Sequence, residues 1–392
     1  MKNGGSEMSE FINLSSMQKP KDPFSEYEDL RAEESALSPT IEIDDTLRIK
    51  VLDRCGMTCF FCHNEGTPVA SDSGFQKHRV SIYALTNAIP FTQADILQSD
   101  ESAFSSALGD LYDAGIAKEI HWTGGEPTLA KQLPALTHAA RLAGYSVKMT
   151  SNGQSGERGL AELADAGLTG INFSIFGTTP EELARTQGPV FQDNLKLATN
   201  RLAKMDEAMI AATELGVSVK ANVVISGEDD IDRGMRLLEN APESARVRFQ
   251  ADTSDREPSL KAIYKLMREL GARPVARTVV AGCSIDNYDY ETPEGRIVTF
   301  KQTRFSRLAG VCDNCPIDKA GECHEGYYGI RFYKDAEDSF WLSPCIQKMD
   351  TAQRLDDFLA DDGLGQTVSN YRERDYARLQ KQFSPRYNER IA

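Results

Sequence analysis

The chemistry that can be read from this sequence starts with eight cysteines in two groups. Cys55, Cys59 and Cys62 form a C-x3-C-x2-C pattern in "DRCGMTCFFCHNEG", directly after a β-like run. Cys283, Cys312, Cys315, Cys323 and Cys345 lie toward the other end, after roughly 220 residues without a cysteine. A disulfide framework is usually spread more evenly, and in a reducing compartment such clusters point to metal binding or catalysis. Three thiolates at the first spacing can wrap three corners of a four-iron four-sulfur cubane and leave one iron without a protein ligand. An open metal position marks a catalytic rather than a structural site. On these residues alone, a zinc site completed by adjacent His63 and a set of merely buried cysteines both stay open. In the second group, Cys312 and Cys315 form a C-x2-C pair followed by Cys323 and Cys345, a pattern that suits structural zinc equally well.

The elements that must position these residues alternate. From residue 46 onward, "TLRIKVL", "KEIHWTG", "SVKMTSN", "GINFSIF", "VSVKANVVI" and "ARVRFQ" read as strands, with helical stretches such as "ESAFSSALGDLYDAG" and "NLKLATNRLAKMDEAMIAATELG" between most of them. Such alternation predicts parallel strands with crossover helices, and six units suit a partial (β/α)6 TIM-type barrel. An open doubly wound sheet is the alternative; in both, chemistry sits at the carboxyl ends of the strands. The fold class is therefore α/β with a small C-terminal α+β module. Residues 1–45 are acidic, poor in apolar side chains, and expected to be a disordered or loosely docked leader. Residues 46–272 form the barrel, 273–350 the module carrying the second cysteine group, and 351–392 a helical cap.

A formal net charge of −15 argues against broad attraction to nucleic acid or anionic membrane, though a local basic pocket is compatible with it. No apolar run approaches the roughly 18 residues that span a bilayer, and "MKNGGSEMSE" lacks a secretory pattern, so a cytoplasmic protein is expected.

The cysteine loop after the first strand, followed by "TGGEP" after the second, resembles the radical SAM superfamily. The resemblance implies a four-iron four-sulfur cluster on Cys55, Cys59 and Cys62 whose open iron chelates S-adenosylmethionine (SAM), cleaved by one electron to a 5′-deoxyadenosyl radical. It implies that Gly124, Gly125, Glu126 and Pro127 meet the ammonium of the methionine moiety. Thr150, Ser151 and Asn152 of "TSNG", with Ser174, Val223 and Val224, would line the SAM pocket, and Phe61 would flank the adenine. His63 is then not a metal ligand.

The run from "GRIVTF" through "CDNC" to "YGIRFYKDAEDSFWLSPCI" is similar to the C-terminal region of the GTP 3′,8-cyclases of molybdenum cofactor biosynthesis. That likeness implies an auxiliary four-iron four-sulfur cluster on Cys312, Cys315 and Cys345, and basic substrate contacts at Arg48, Lys220 and Arg248, with Arg185 as a further one. Three departures bear on the substrate. Glu119 and His121 stand where the family brings basic residues to a triphosphate. The chain ends "SPRYNERIA" instead of a Gly-Gly tail. Cys323 is a fourth candidate ligand that would close the auxiliary cluster, with Cys283 as a second candidate or simply a small buried residue.

The expectation is a cyclase-like enzyme acting on a small nucleoside- or sugar-like molecule other than GTP, with flavodoxin or ferredoxin as electron donor. A peptide-modifying maturase and a true GTP 3′,8-cyclase are the alternatives; a purely structural metal protein would have no use for the SAM-pocket segments. No general acid or base is assigned; His121, Glu119 and Tyr327 are candidates to guide or quench a radical.

Overall fold

The computed structural model describes residues 22–67, 89–96 and 101–384. In chain order the first strands are β1 (Thr40–Ile43), β2 (Thr46–Lys50), β3 (Gln93–Ala94), β4 (Glu119–Thr123), β5 (Ser146–Ser151), β6 (Leu168–Ile175), β7 (Ser218–Ile225) and β8 (Arg246–Ala251). The later ones are β9 (Arg273–Ala281), β10 (Ile285–Glu291), β11 (Ile297–Thr303), β12 (Ile330–Asp335), β13 (Phe340–Ser343) and β14 (Gln353–Arg354). The six expected strands, β2 and β4 to β8, lie side by side and parallel in chain order. This is the partial barrel read from the sequence.

The helices are α1 (Glu28–Ala36), α2 (Glu101–Asp113), α3 (Leu133–Leu142), α4 (Leu160–Ala166), α5 (Pro180–Arg185), α6 (Pro189–Gln192), α7 (Leu195–Glu214), α8 (Ile231–Asn240), α9 (Arg256–Glu269), α10 (Pro316–Lys319), α11 (Leu355–Leu359) and α12 (Leu364–Gln382). Among them α2 to α8 lie between consecutive parallel strands, supplying the crossovers that parallel pairing needs. One face of each strand feeds the core: Leu47, Ile49, Ile120, Trp122, Val147, Met149, Ile171, Phe173, Val219, Val223, Val247 and Phe249 are all buried in one cluster. Strand alternation then turns Arg48, His121, Lys148, Asn172, Lys220 and Arg248 to the opposite, inner face. A barrel of this size fills its interior with side chains, and here that filling is polar.

Near residue 272, where a boundary was expected, β9 begins at Arg273 and continues in the same sheet. β11 pairs parallel with β8, and β12 pairs parallel with β2, so residues 273–350 extend both edges of the six-strand core. The exposed edges of an open barrel are thereby paired.

Residues 1–21 of the acidic leader lie outside the described residues. Residues 22–45, expected to be disordered or loosely docked, form α1 and β1. β1 pairs with β9, and Glu34 of α1 is buried, accepting hydrogen bonds from the hydroxyls of Tyr264 at 2.8 Å and Tyr290 at 2.7 Å. Composition hid this because one buried carboxylate between two tyrosines holds the segment, along with Tyr27 and Leu30. Within the expected cap α11 and α12 form, and residues 385–392 lie outside the described residues; Arg372 of α12 pairs with Asp44 at 2.9 Å, both buried. Among the described residues no helix is long and apolar enough to cross a membrane.

Candidate active site and metal centre

The loop after β2 carries Cys55 and Cys59, both buried, and Cys62, half-buried. It is held by close backbone approach to the loop after β4. Gly125 N donates to Leu52 O at 2.7 Å and Glu126 N to Arg54 O at 2.8 Å. A β-carbon at Gly125 would lie 2.1 Å from Arg54 O, and one at Gly124 2.5 Å from Leu52 O. Gly124 also has φ +141, which favours glycine. The glycine pair is therefore required by packing of one loop on the other, whatever ligand it meets.

Glu126 is 1% exposed. Its Oε1 accepts from Thr128 N at 3.2 Å, Thr128 Oγ1 at 2.7 Å and Ser151 Oγ at 2.8 Å, while Oε2 accepts from Asn152 N at 2.7 Å. Burial raises its pKa, and these hydrogen bonds oppose the rise. In this arrangement Glu126 ties the end of β4 to the end of β5. Ser151, expected in the SAM pocket, points to the Glu126 side instead, and Pro127 starts the short 3-10 turn Pro127–Leu129. Asn152 reaches the cysteine loop: its Nδ2 donates to Cys55 Sγ at 3.2 Å.

Thr150 and Ser174 are half-buried on the inner face, where a ligand could meet them. Val223 is not there; it is fully buried in the core, because strand alternation puts Val224, 42% exposed, on the other face. Phe61 is 40% exposed and packs on Phe60 and Phe176 with ring centroids 5.3 and 5.5 Å away.

Three residues missed in the sequence complete the loop's surroundings. Gln154 Oε1 accepts from Gly56 N at 2.9 Å, and Arg201 of α7 donates to Gln154 O at 3.3 Å. Gln187, in the link between α5 and α6, donates from Nε2 to Cys59 Sγ at 3.2 Å and accepts Thr58 N on Oε1 at 2.7 Å. Arg185, two residues earlier, is exposed at the end of α5, off the strand face that carries the other expected cations. Side-chain amides far away in sequence leave no spacing signal.

The inner face is basic. Arg48 donates to Tyr328 O at 2.9 Å and lies 4.8 Å over the Tyr328 ring; Lys301 lies over the same ring at 4.6 Å. Lys301 and Tyr328 were not foreseen. Lys220 and Arg248 make no ion pair among the described residues, and Arg248 Nε is buried without a hydrogen-bond partner there, as is Asn222 Oδ1. Burial, then the nearby Arg248, Lys148 and Arg246 charges, push the Lys220 ammonium down to about 8. Burial also lowers Arg248. Glu119 forms an ion pair with Lys148. The repulsion expected of this carboxylate is thus offset by a lysine on the neighbouring strand, which pairwise register supplies and linear sequence conceals. His121 shares a hydrogen bond with Thr150 Oγ1 at 2.8 Å. Burial and the Arg48 charge push it down to about 3, so it is neutral at physiological pH.

In the second group, Cys312, Cys315, Cys323 and Cys345 line one cavity together with Val311, Tyr327 and Pro344. Leu308 N donates to Cys312 Sγ at 3.3 Å, and the backbone amides of Gln347 and Lys348 favour the thiolate of Cys345. Burial raises Cys312 to about 11 and also raises Cys345, so metal binding there would release protons. Four thiols with amide donors fit a cluster or zinc by chemistry alone. Among the described residues, no three His, Cys, Asp or Glu side chains are grouped as ligands of a single metal ion. Cys283 is buried in the turn between β9 and β10 and does not line this cavity, so of the two readings for it the small buried residue is the one that the packing favours.

The loops that carry Cys62 and Cys345 meet next to these cysteines. Glu65, three residues past Cys62, is buried with φ +52; Arg331 Nε donates to its Oε2 at 3.1 Å, and Tyr333 Oη donates to its backbone oxygen at 2.7 Å. A β-carbon at Gly66 would lie 2.3 Å from the backbone oxygen of Ile346, the residue after Cys345.

Residues 49–239 match the Radical SAM superfamily model. The chain is 30% identical over 145 residues to a probable GTP 3′,8-cyclase of Metallosphaera sedula, covering 37% of this chain and 38% of that protein. It is 30% identical over 211 residues to the GTP 3′,8-cyclase of Syntrophomonas wolfei, covering 52% and 53% respectively. The chain thus spans from about two fifths to half the length of these curated relatives. Streptococcus suis SuiB, a solved structure, is similar at 14% identity and a TM-score of 0.48, over 90% of this chain and 75% of that one.

Gly125→Ala is expected to displace the cysteine loop and to cut the iron it takes up in anaerobic reconstitution. Gly109→Ala in α2, where an added methyl meets open space, should bind iron like the natural chain and gain about 1 kcal/mol of stability. Iron analysis and thermal unfolding check both; equal iron uptake by the two variants would show that the close approach does not position the loop.

Proposed function

We propose that this chain, a radical SAM protein resembling the GTP 3′,8-cyclases, acts on an anionic small molecule, nucleoside- or sugar-like, bound against the inner face of its barrel. The observation that carries the substrate side is the gathering of Arg48, Lys220, Arg248 and Lys301 there, with Lys220 and Arg248 lacking an acidic partner among the described residues. Buried cations without counter-charges are costly, and an anionic ligand offsets that cost.

Cys55, Cys59 and Cys62 would hold a four-iron four-sulfur cluster, a fit supported by the N–H donors aimed at two of their sulfurs. When bound there with SAM, the cluster supplies a 5′-deoxyadenosyl radical on one-electron reduction by a donor such as flavodoxin or ferredoxin. Thr150, Asn152, Ser174 and Phe61 would contact SAM. Gly124, Gly125 and Glu126 act on it chiefly by fixing the loops that carry the other contacts. His121, being neutral, can accept or donate one hydrogen bond to substrate without adding charge.

Cys312, Cys315, Cys323 and Cys345 would hold a second cluster, and Cys323 would close it, leaving no iron for substrate. A second reading of the substrate is GTP itself, favoured by the Glu119–Lys148 pair, which removes the bare carboxylate that would repel a triphosphate.

Reconstituted protein with SAM and dithionite should form 5′-deoxyadenosine, and replacing Cys55, Cys59 and Cys62 together by Ala should abolish it. Turnover that survives the triple replacement would sink the radical SAM assignment; a rate raised by GTP but by no other nucleotide or sugar phosphate would establish the second reading.

Lys220 has a folded pKa below its ordinary 10.5. Between that value and about 8 the unfolded chain binds the extra proton, so stability of the ligand-free protein rises with pH across this window. Anion binding works the other way, needing the protonated ammonium. The affinity for pyrophosphate or GTP should fall as pH rises from about 7 to 9, and Lys220→Met should weaken it roughly 10- to 100-fold at pH 7 and flatten the profile. Calorimetric titration that finds an unchanged slope in the variant would remove Lys220 from the ligand site.

With Cys55, Cys59 and Cys62 all Ala, the second group should retain about four irons per chain, whose paramagnetic spectrum ignores added cyanide. Adding Cys323→Ala should make that spectrum cyanide-sensitive. Zinc in place of iron would overturn the second cluster, and sensitivity before the change would overturn the role of Cys323.

A further inference from the structure

The sulfurs of Cys55 and Cys59 each accept a side-chain amide. Asn152 lies at the end of β5, among the residues expected to meet SAM, but Gln187 belongs to none of the expected contacts. It is 1% exposed and reaches Cys59 from 128 residues away.

Its geometry is fixed on every side. Thr58 N donates to Oε1 at 2.7 Å, so the amide cannot be turned round and Nε2 must face Cys59 Sγ, 3.2 Å away. The second Nε2 proton goes to Thr186 Oγ1 at 3.1 Å. The backbone is held too. Cys59 and Gln187 form an antiparallel bridge, Gly188 N donates to Thr58 O at 3.1 Å, and Gln192 Nε2 donates to Gln187 O at 2.8 Å. A side chain so constrained cannot swing away when the charge on the sulfur changes.

An electron added to an iron–sulfur cluster increases the negative charge on its sulfurs. A buried N–H dipole aimed at one of them stabilises the reduced state more than the oxidised one, and so raises the reduction potential. We infer that Gln187 is a positioning residue for this cluster: its amide holds the Cys59 thiolate in place and sets the ease of one-electron reduction. This rests on the reading that Cys55, Cys59 and Cys62 hold a four-iron four-sulfur cluster.

A purely structural role, as acceptor for Thr58 N, makes a different forecast, and two substitutions separate them. Gln187→Met is neutral and of similar length but has no donor. Gln187→Glu keeps an oxygen for Thr58 N while replacing the donor by an acceptor. The readout is a titanium(III) citrate redox titration of reconstituted full-length protein, following the paramagnetic signal that shifts on adding SAM. Both variants should show a midpoint potential lower than the natural chain, Gln187→Glu the lower of the two. Either variant taking up full iron with an unchanged potential would overturn the assignment. If Gln187→Met fails to take up iron, Gln187→Glu alone decides by the same criterion. Absence of any SAM-sensitive signal from the natural chain would instead overturn the cluster reading itself, and the role of Gln187 with it.

Discussion

A carboxylate with almost no access to water sets the geometry on which the cysteine site depends. Charged burial is costly unless every oxygen finds donors, and Glu126 finds four, three on Oε1 and one on Oε2. Those donors come from its own turn and from the end of β5, so satisfying the charge fixes two strand ends relative to one another. The same turn presents Gly125 N and Glu126 N to the backbone oxygens of Leu52 and Arg54, just before Cys55. Asn152, whose N–H is one of the four donors, sends its amide on to Cys55 Sγ. The cysteine loop is therefore placed by a closed circuit of hydrogen bonds that starts and ends on backbone, which rigid strand ends keep in register.

The inner face follows a different economy. There the strands carry half-buried cations, of which Lys148 is neutralised by Glu119, while Arg246 at the exposed start of β8 pairs with Asp289. Tyr328 takes part of the remaining burden, its ring lying beside both Arg48 and Lys301. A cation over an aromatic face is stabilised without being discharged, so it can still be recruited by an anion. The lowered pKa of Lys220 reflects its burial first and, after that, the neighbouring Arg248, Lys148 and Arg246 charges. On the opposite face of the same strands a continuous apolar core carries the stability that such an interior does not supply.

How much of this was legible follows from distance along the chain. The six parallel strands, the crossover helices and the cysteine loop are local patterns, and each was visible. Parity within a strand was harder: Ser151 and Val223 sit one step away from inward-facing neighbours, and a one-residue shift reverses the face. Gln187, Tyr328, Lys301 and Arg331 were invisible because their partners lie far off in sequence and their types are common. Composition was least informative at α1, where Glu34 between two tyrosines anchors an otherwise polar segment.

The joint between the two cysteine groups shows why they cannot be regarded as separate sites on one scaffold. Burial works against the charge of Glu65, yet His63, Arg331 and Arg48 outweigh it and hold its carboxyl below the ordinary range. A buried ion pair adds little net stability over an apolar pair, but losing one partner strands the other charge in the interior. The Glu65–Arg331 pair therefore enforces a position more than it strengthens the fold. Gly66 adds a steric condition, since no side chain fits between it and Ile346. Cys62 lies three residues before Glu65 on one loop, and Cys345 directly precedes Ile346 on the other. The two loops are thus joined through the Glu65–Arg331 pair and the Gly66–Ile346 approach, each with one member within three residues of a cysteine.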